Sequence, residues 1–128
     1  MLRITGRVTD GLGKASVRLV GERLERRNEA IGVRCVPGTL NVRMDNRPRT
    51  LRALGNPPVV VREPEAKDDH LKVWPGVEVW IPERLDQPVV GAIVRGSSSR
   101  SGSLEIMAGV RFRDMGVANG DRVEIRVP

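Results

Sequence analysis

The sequence predicts a mostly β chain, folded as a closed barrel or a sandwich, with one short helix. Apolar and polar residues alternate over short runs, as strands with one buried face require. Prolines at positions 57, 58, 64, 75, 82 and 88 punctuate the second half, which favours separate short strands over long helices. Helical spacing with a terminating glycine is found in one stretch, Glu22 to Ala30. A chain of 128 residues suits a single domain spanning positions 1–128, large enough for one core.

The first strand is expected at Leu2 to Val8. Gly11-Leu12-Gly13-Lys14-Ala15-Ser16 then joins it to a second alternating run, Val17-Arg18-Leu19-Val20. Glycines let backbone N–H groups converge on an anion and Lys14 adds charge, so a phosphate cradle is physically reasonable. The pattern is not a Walker loop, since no Gly-Lys-Ser/Thr closes a four-residue spacer after a first glycine, nor a dinucleotide fingerprint, since Ser16 stands where the third glycine belongs; a plain hairpin turn is the other reading. In the helix, Leu24, Ala30 and Ile31 form a thin apolar stripe, Glu22 and Glu25 suit its first turn, and Gly32 stops it.

Pro37-Gly38 sets a turn, after which Leu40 and Val42 face one way while Thr39, Asn41 and Arg43 face the other. A hydroxyl and an amide carbonyl two residues apart can reach one hard cation or one phosphate, or can simply line the polar face of a hairpin. Further strands are expected at Val59 to Arg62, Leu71 to Trp74, Val77 to Ile81, Val89 to Val94, Leu104 to Met107 and Arg122 to Val127. Between the last two, Ser97-Ser98-Ser99-Arg100-Ser101-Gly102-Ser103 has the composition of a solvated loop.

Composition excludes several classes. The single Cys35 cannot form an internal disulfide and reads as a buried inert thiol. With one cysteine and one histidine the usual zinc ligand set is missing, and Glu63, Glu65, Asp68 and Asp69 read as a solvated acidic loop. His70, the sole histidine, lies beside that charged stretch and reads as a surface residue, which removes a Ser-His-Asp triad. No apolar run has the length of a membrane span and the N-terminus lacks a signal-peptide core, so a cytoplasmic protein without membrane attachment is expected. The net charge of +6 comes from arginine, which outnumbers lysine nineteen to three. It suits anionic partners such as nucleotides or nucleic acid.

Taken in order, the motifs resemble those of the CTP-dependent riboflavin kinases of archaea. The likeness rests on Gly6-Arg7-Val8, Gly11-Leu12-Gly13-Lys14-Ala15, Gly32, Pro37-Gly38-Thr39-Leu40-Asn41-Val42 and Gly91-Ala92-Ile93-Val94. It continues through Leu104-Glu105-Ile106-Met107-Ala108, Val110-Arg111-Phe112-Arg113 and Asn119-Gly120-Asp121-Arg122-Val123, leaving a variable middle from about Met44 to Val90. The resemblance implies a compact six-stranded cradle-loop barrel with one short helix. It also implies transfer of phosphate from CTP to the ribityl 5′-hydroxyl of riboflavin, giving CDP and FMN.

Carried over residue by residue, the resemblance implies that Gly11, Leu12, Gly13, Lys14, Ala15 and Ser16, with Val110, Arg111, Phe112 and Arg113, hold the nucleotide. Thr39 and Asn41 would hold one magnesium ion. Glu105 and a hydroxyl among Ser97 to Ser99, assigned to Ser99, would contact the flavin. Asn41 and Glu105 are the residues on which catalysis would depend, Glu105 orienting the hydroxyl or accepting its proton. For Arg111 and Arg113 a solvated basic face is the bland alternative, and for Glu105 the polar face of an edge strand. A monomer is expected.

A nucleic-acid-binding barrel is the competing function. Arg47, Arg49 and Arg52 form the densest basic cluster, but no aromatic residue interleaves them. Trp74, Trp80 and Phe112 are the only aromatic residues of the chain, a scarcity that also counts against a flavin site. A non-catalytic flavin- or nucleotide-binding barrel is the third reading, suggested by the divergent serine loop.

Overall fold

The computed structural model describes residues 1–10, 20–64, 70–96 and 103–128. Their elements are β1 (Leu2–Thr9), α1 (Gly21–Ile31), β2 (Leu40–Met44), α2 (Arg47–Leu54), β3 (Val59–Arg62), β4 (His70–Trp80), β5 (Val89–Arg95), β6 (Ser103–Ala108), a 3-10 turn (Phe112–Met115) and β7 (Arg122–Val127). The strands lie in the order β3-β4-β5-β6-β2-β1-β7, and β4 also pairs with β7. That pairing closes six strands into an antiparallel barrel and leaves β3 outside the ring.

The sequence suggests two strands where β4 is one. Its partner register on β5 jumps from Pro75↔Ala92 to Val77↔Gly91, so Gly76, at φ 72°, is an extra residue. This bulge shifts the alternation by one. Trp74 faces the barrel interior before it, Val77 and Val79 after it. The bent strand serves two partners, its first half pairing with β3 and its last residues with β7.

The barrel is filled by Ile4, Val8, Leu40, Val42, Ile93, Leu104, Ile106, Val123, Ile125 and their neighbours. A second apolar layer lies outside the wall, where Leu71, Val73, Ala92, Val94 and Met107 meet Ile31, Leu24 and Cys35. Helix α1 therefore packs on β3 and β4, with Ala92 and Val94 of β5 and Met107 of β6 in the same apolar layer, and β5, buried on both faces from Gly91 to Val94, reads as a near-continuous apolar run. Cys35 is buried and burial pushes its thiol pKa up, as expected of an inert thiol.

The thin stripe of α1 has a cause that composition hides. Arg27 occupies the buried face between Leu24 and Ile31, and its guanidinium grips Glu63 at 2.6 and 2.8 Å. Arg23 adds a contact at 3.2 Å. Glu63 is 1% exposed, so its reading as part of a solvated acidic loop is corrected; Glu65, Asp68 and Asp69 lie outside the described residues.

The sequence predicts a single helix, and α2 is a second short one that it does not predict. Asn46 caps it, its side chain accepting from the Arg49 N–H, Pro48 sits in the first turn, and Leu51 and Leu54 plug one barrel end. The basic cluster of Arg47, Arg49 and Arg52 is its exposed face. Among the described residues no helix is long and apolar enough to cross a membrane.

One glycine fixes how closely two strands approach. A Cβ on Gly91 would lie 2.4 Å from the Met107 carbonyl oxygen, a backbone atom that cannot swing away. Gly91→Ala is expected to lower stability by about 1–3 kcal/mol, read as a lower urea midpoint.

Candidate active site

Pro37-Gly38 turns the chain into β2, and Gly38 sits at φ 108°, where side-chain-bearing residues are strained. The turn is held from two sides. The Asn28 Oδ1 of α1 accepts the Cys35 N–H at 2.9 Å, and the Val36 N–H donates to the Ala108 carbonyl at 2.9 Å. Thr39 follows, half-buried, and Asn41 lies 9% exposed on the outer face of β2, opposite the interior-facing Leu40 and Val42.

Pairing decides what Asn41 meets. Its register partner on β6 is Glu105, and its partner on β1 is Thr9. Antiparallel partners point to the same face, so a carboxylate, an amide and a hydroxyl stand abreast across three strands. Glu105 is half-buried beside Val94 of β5. Arg95 is close enough for its charge to be felt there: burial and the Arg47 charge lower the Arg95 pKa, while Glu105 works the other way.

Thr9 ends β1, and Asp10 leads on toward Gly11. Gly11 to Ser16 and Ser99 lie outside the described residues, as do Val17 to Leu19 of the expected second strand. The 110–113 segment meets this same end. The Arg113 guanidinium donates to Asn119 Oδ1 at 2.6 Å and to the Thr9 carbonyl at 3.5 Å, and lies 3.9 Å from Asp10. Arg113 is thus a brace across the exit of β1. Arg111 is exposed and Val110 half-buried, whereas the Phe112 ring is packed in the core.

Asp121 fixes the neighbouring turn. Its carboxylate accepts from Arg84 Nε and the Ala118 N–H, both at 2.8 Å, which hold its pKa below the ordinary carboxylate value. The Val8 N–H donates to the Asp121 carbonyl at 2.9 Å, and the Gly120 N–H to the Val8 carbonyl at 2.8 Å. The Asn119–Val123 motif therefore builds the rim around the end of β1.

Among the described residues no three His, Cys, Asp or Glu side chains gather as a metal cage. The donors present, a hydroxyl from Thr39 and an amide oxygen from Asn41, suit a hard cation that keeps most of its shell for water and substrate phosphate, as magnesium does. A groove of about 300 Å³ at the opposite barrel end, lined by Leu2, Leu54, Asn56, Pro58, Trp74 and Val127 among others, contains none of these residues.

Sequence reasoning missed Thr9 and Asn28 as site residues. Thr9 carried a signal, ending an alternating strand just before the glycine loop; Asn28 carried none, because its partner Cys35 is reached only through the folded helix cap. No curated protein matches the chain. A family model named for CTP-dependent riboflavin kinases and described as a domain of unknown function, DUF120, matches residues 8–127. That span runs from the Val8–Asp121 clasp through the Asn41–Glu105 pair to the last strand, and the chain belongs to the CTP-dependent riboflavin kinase family.

Proposed function

We propose that this protein transfers the γ-phosphoryl group of CTP to the ribityl 5′-hydroxyl of riboflavin, producing FMN and CDP. The observation that carries the reading is the outer-face pairing of Asn41 with Glu105, one strand from the end of β1, in a chain of this family.

In the reaction the 5′-oxygen bonds to the γ-phosphorus while the bond to the β–γ bridging oxygen breaks, its electron pair leaving with CDP. Positioning and charge neutralisation supply most of the acceleration in such transfers. Glu105 accepts a hydrogen bond from the 5′-hydroxyl, aims its lone pair and takes the proton as the new bond forms. Backbone N–H groups of Gly11 to Ser16, with Lys14, would cradle the donor phosphates, and Arg111 on the adjoining rim adds positive charge. Val110, the Phe112 backbone and Arg113 would border the nucleotide, Arg113 by holding the rim. Thr39 and Asn41 would hold one magnesium ion, which when bound supplies charge neutralisation at the phosphate oxygens.

The test is incubation with riboflavin, magnesium and each of the four nucleoside triphosphates, followed by chromatography. FMN is expected with CTP. Absence of FMN with every triphosphate rejects the reading, and binding of both substrates without turnover would leave a non-catalytic flavin-binding barrel in its place.

A further inference from the structure

A flat tricyclic ring needs a face to lie on, and the three aromatic side chains of this chain are committed elsewhere. Phe112 and Trp74 are each 5% exposed in the barrel core, where Trp74 Nε1 also donates to the Leu54 carbonyl. Trp80 sits on β4, separated from β2 by β7 and β1, with the Arg126 guanidinium 4.6 Å above its ring.

The outer face beside the candidate site offers a different plane. One row along from Glu105, Asn41 and Thr9, the partners are Ser103, Arg43, Arg7 and Arg122, in register across four strands. Three arginines abreast repel one another, a cost that opposite or absent charge would not incur. Two of them are engaged. Arg7 donates to the Gly120 carbonyl at 2.8 Å, and Arg122 lies 3.4 Å from Asp45. Arg43 is exposed and has no side-chain hydrogen bond or ion pair among the described residues.

Direction completes the placement. Thr39, Asn41 and Arg43 succeed one another along one face of β2, starting at the phosphate end. With the reacting hydroxyl at Glu105, the ribityl chain must carry its ring away from the phosphates. The step from Asn41 to Arg43 is about 7 Å along a strand, within the span of a five-carbon chain. Ser103, the register partner of Arg43, begins β6 directly after residues 97–102, where a flavin contact is expected.

We infer that Arg43 is a binding residue for the acceptor, its guanidinium plane stacking on the isoalloxazine ring in place of an aromatic side chain. The inference rests on the riboflavin kinase reading. A guanidinium is flat, weakly hydrated and able to fork toward ring carbonyls, whereas an ammonium offers charge without a plane. Stacking of this kind tolerates a strand face with no tyrosine.

The experiment titrates riboflavin by its fluorescence against the wild type, Arg43→Ala and Arg43→Lys, with CTP affinity measured separately by calorimetry and folding by thermal melting. Arg43→Ala is expected to weaken riboflavin binding on the order of tenfold with CTP affinity unmoved, and Arg43→Lys to recover little of the loss. Unchanged riboflavin affinity in a folded Arg43→Ala overturns the inference while leaving the kinase reading intact. Full recovery by Arg43→Lys, or a loss confined to CTP, also overturns it, the first by removing the need for a plane and the second by moving Arg43 to the donor. A wild-type protein that binds no riboflavin at all sinks the kinase reading and this inference with it.

Discussion

Glu63→Gln is expected to cost about 3 kcal/mol or more of stability, although it replaces only one carboxylate oxygen with an amide nitrogen. The carboxylate is 1% exposed and receives both arms of the Arg27 guanidinium, at 2.6 and 2.8 Å, with Arg23 behind. Neutralising it leaves Arg27, 6% exposed, as a buried cation without a counter-charge, held by one amide oxygen in place of two carboxylate oxygens and by the Met107 sulfur at 3.5 Å. Breaking a buried pair costs far more than deleting it whole, so Arg27→Met combined with Glu63→Leu should lose less than Glu63→Gln alone. Urea titration of the variants checks both orders. Acid gives an independent reading. Burial alone would raise the Glu63 pKa, but the hydrogen bonds and charges of Arg27 and Arg23 outweigh it and hold the group below the ordinary value. The pair's contribution is therefore complete above the unfolded-state pKa and is lost as pH falls through the lower folded one. The wild-type melting temperature should drop in that acidic window, and Glu63→Gln should flatten the drop.

Alternation made most of the wall legible. Leu2 to Val8 and Arg122 to Val127 show one apolar face each, and the observed strands match them to within a residue. What alternation cannot carry is a change of phase. Gly76 shifts the inward face of β4 from even to odd positions, so one strand reads as two. Helix α2 escaped because its apolar face is one turn of Leu51 and Leu54 under three arginines. Glu63 was misread for a different reason: Glu65, Asp68 and Asp69 follow it in the sequence, whereas its spatial neighbours are arginines from α1.

The site divides in the same way. That Thr39 and Asn41 share a face follows from spacing along β2, and that Glu105 is polar among apolar residues follows from β6. That the two strands are neighbours does not follow, because β2 and β6 are separated in the chain by three strands and a helix. The family motifs brought Asn41 and Glu105 together on paper, and the register Asn41↔Glu105 gives that association a physical basis. Arg113 shows the converse. Its motif suggests phosphate contact, and the fold adds contacts that the motif does not announce, from its guanidinium to Asn119 and Thr9 on the rim.

Asn41→Leu and Glu105→Gln should both slow FMN formation, and the manner of slowing separates their tasks. Leucine nearly matches asparagine in volume and removes the amide oxygen, so the site keeps its shape on the outer face of β2 and loses one cation donor. Turnover is expected to fall about tenfold or more, equivalent to about 1.4 kcal/mol, with partial rescue as magnesium is raised. Glutamine at position 105 keeps shape and some hydrogen bonding but can neither take the proton nor bind it as tightly. A loss of about a hundredfold in the transfer rate is expected, with CTP affinity nearly unchanged and no rescue by magnesium. Single-turnover kinetics at saturating riboflavin makes the distinction. If Glu105→Gln weakens riboflavin binding while the saturated transfer rate stays normal, the carboxylate binds the acceptor without orienting it. If neither quantity moves, the paired face of β2 and β6 is structural and the reacting hydroxyl lies elsewhere. Because Asn41 and Glu105 are register partners, the double variant supplies a further check. Two groups acting on one transition state from adjacent strands should couple, so the combined loss should fall short of the product of the single losses.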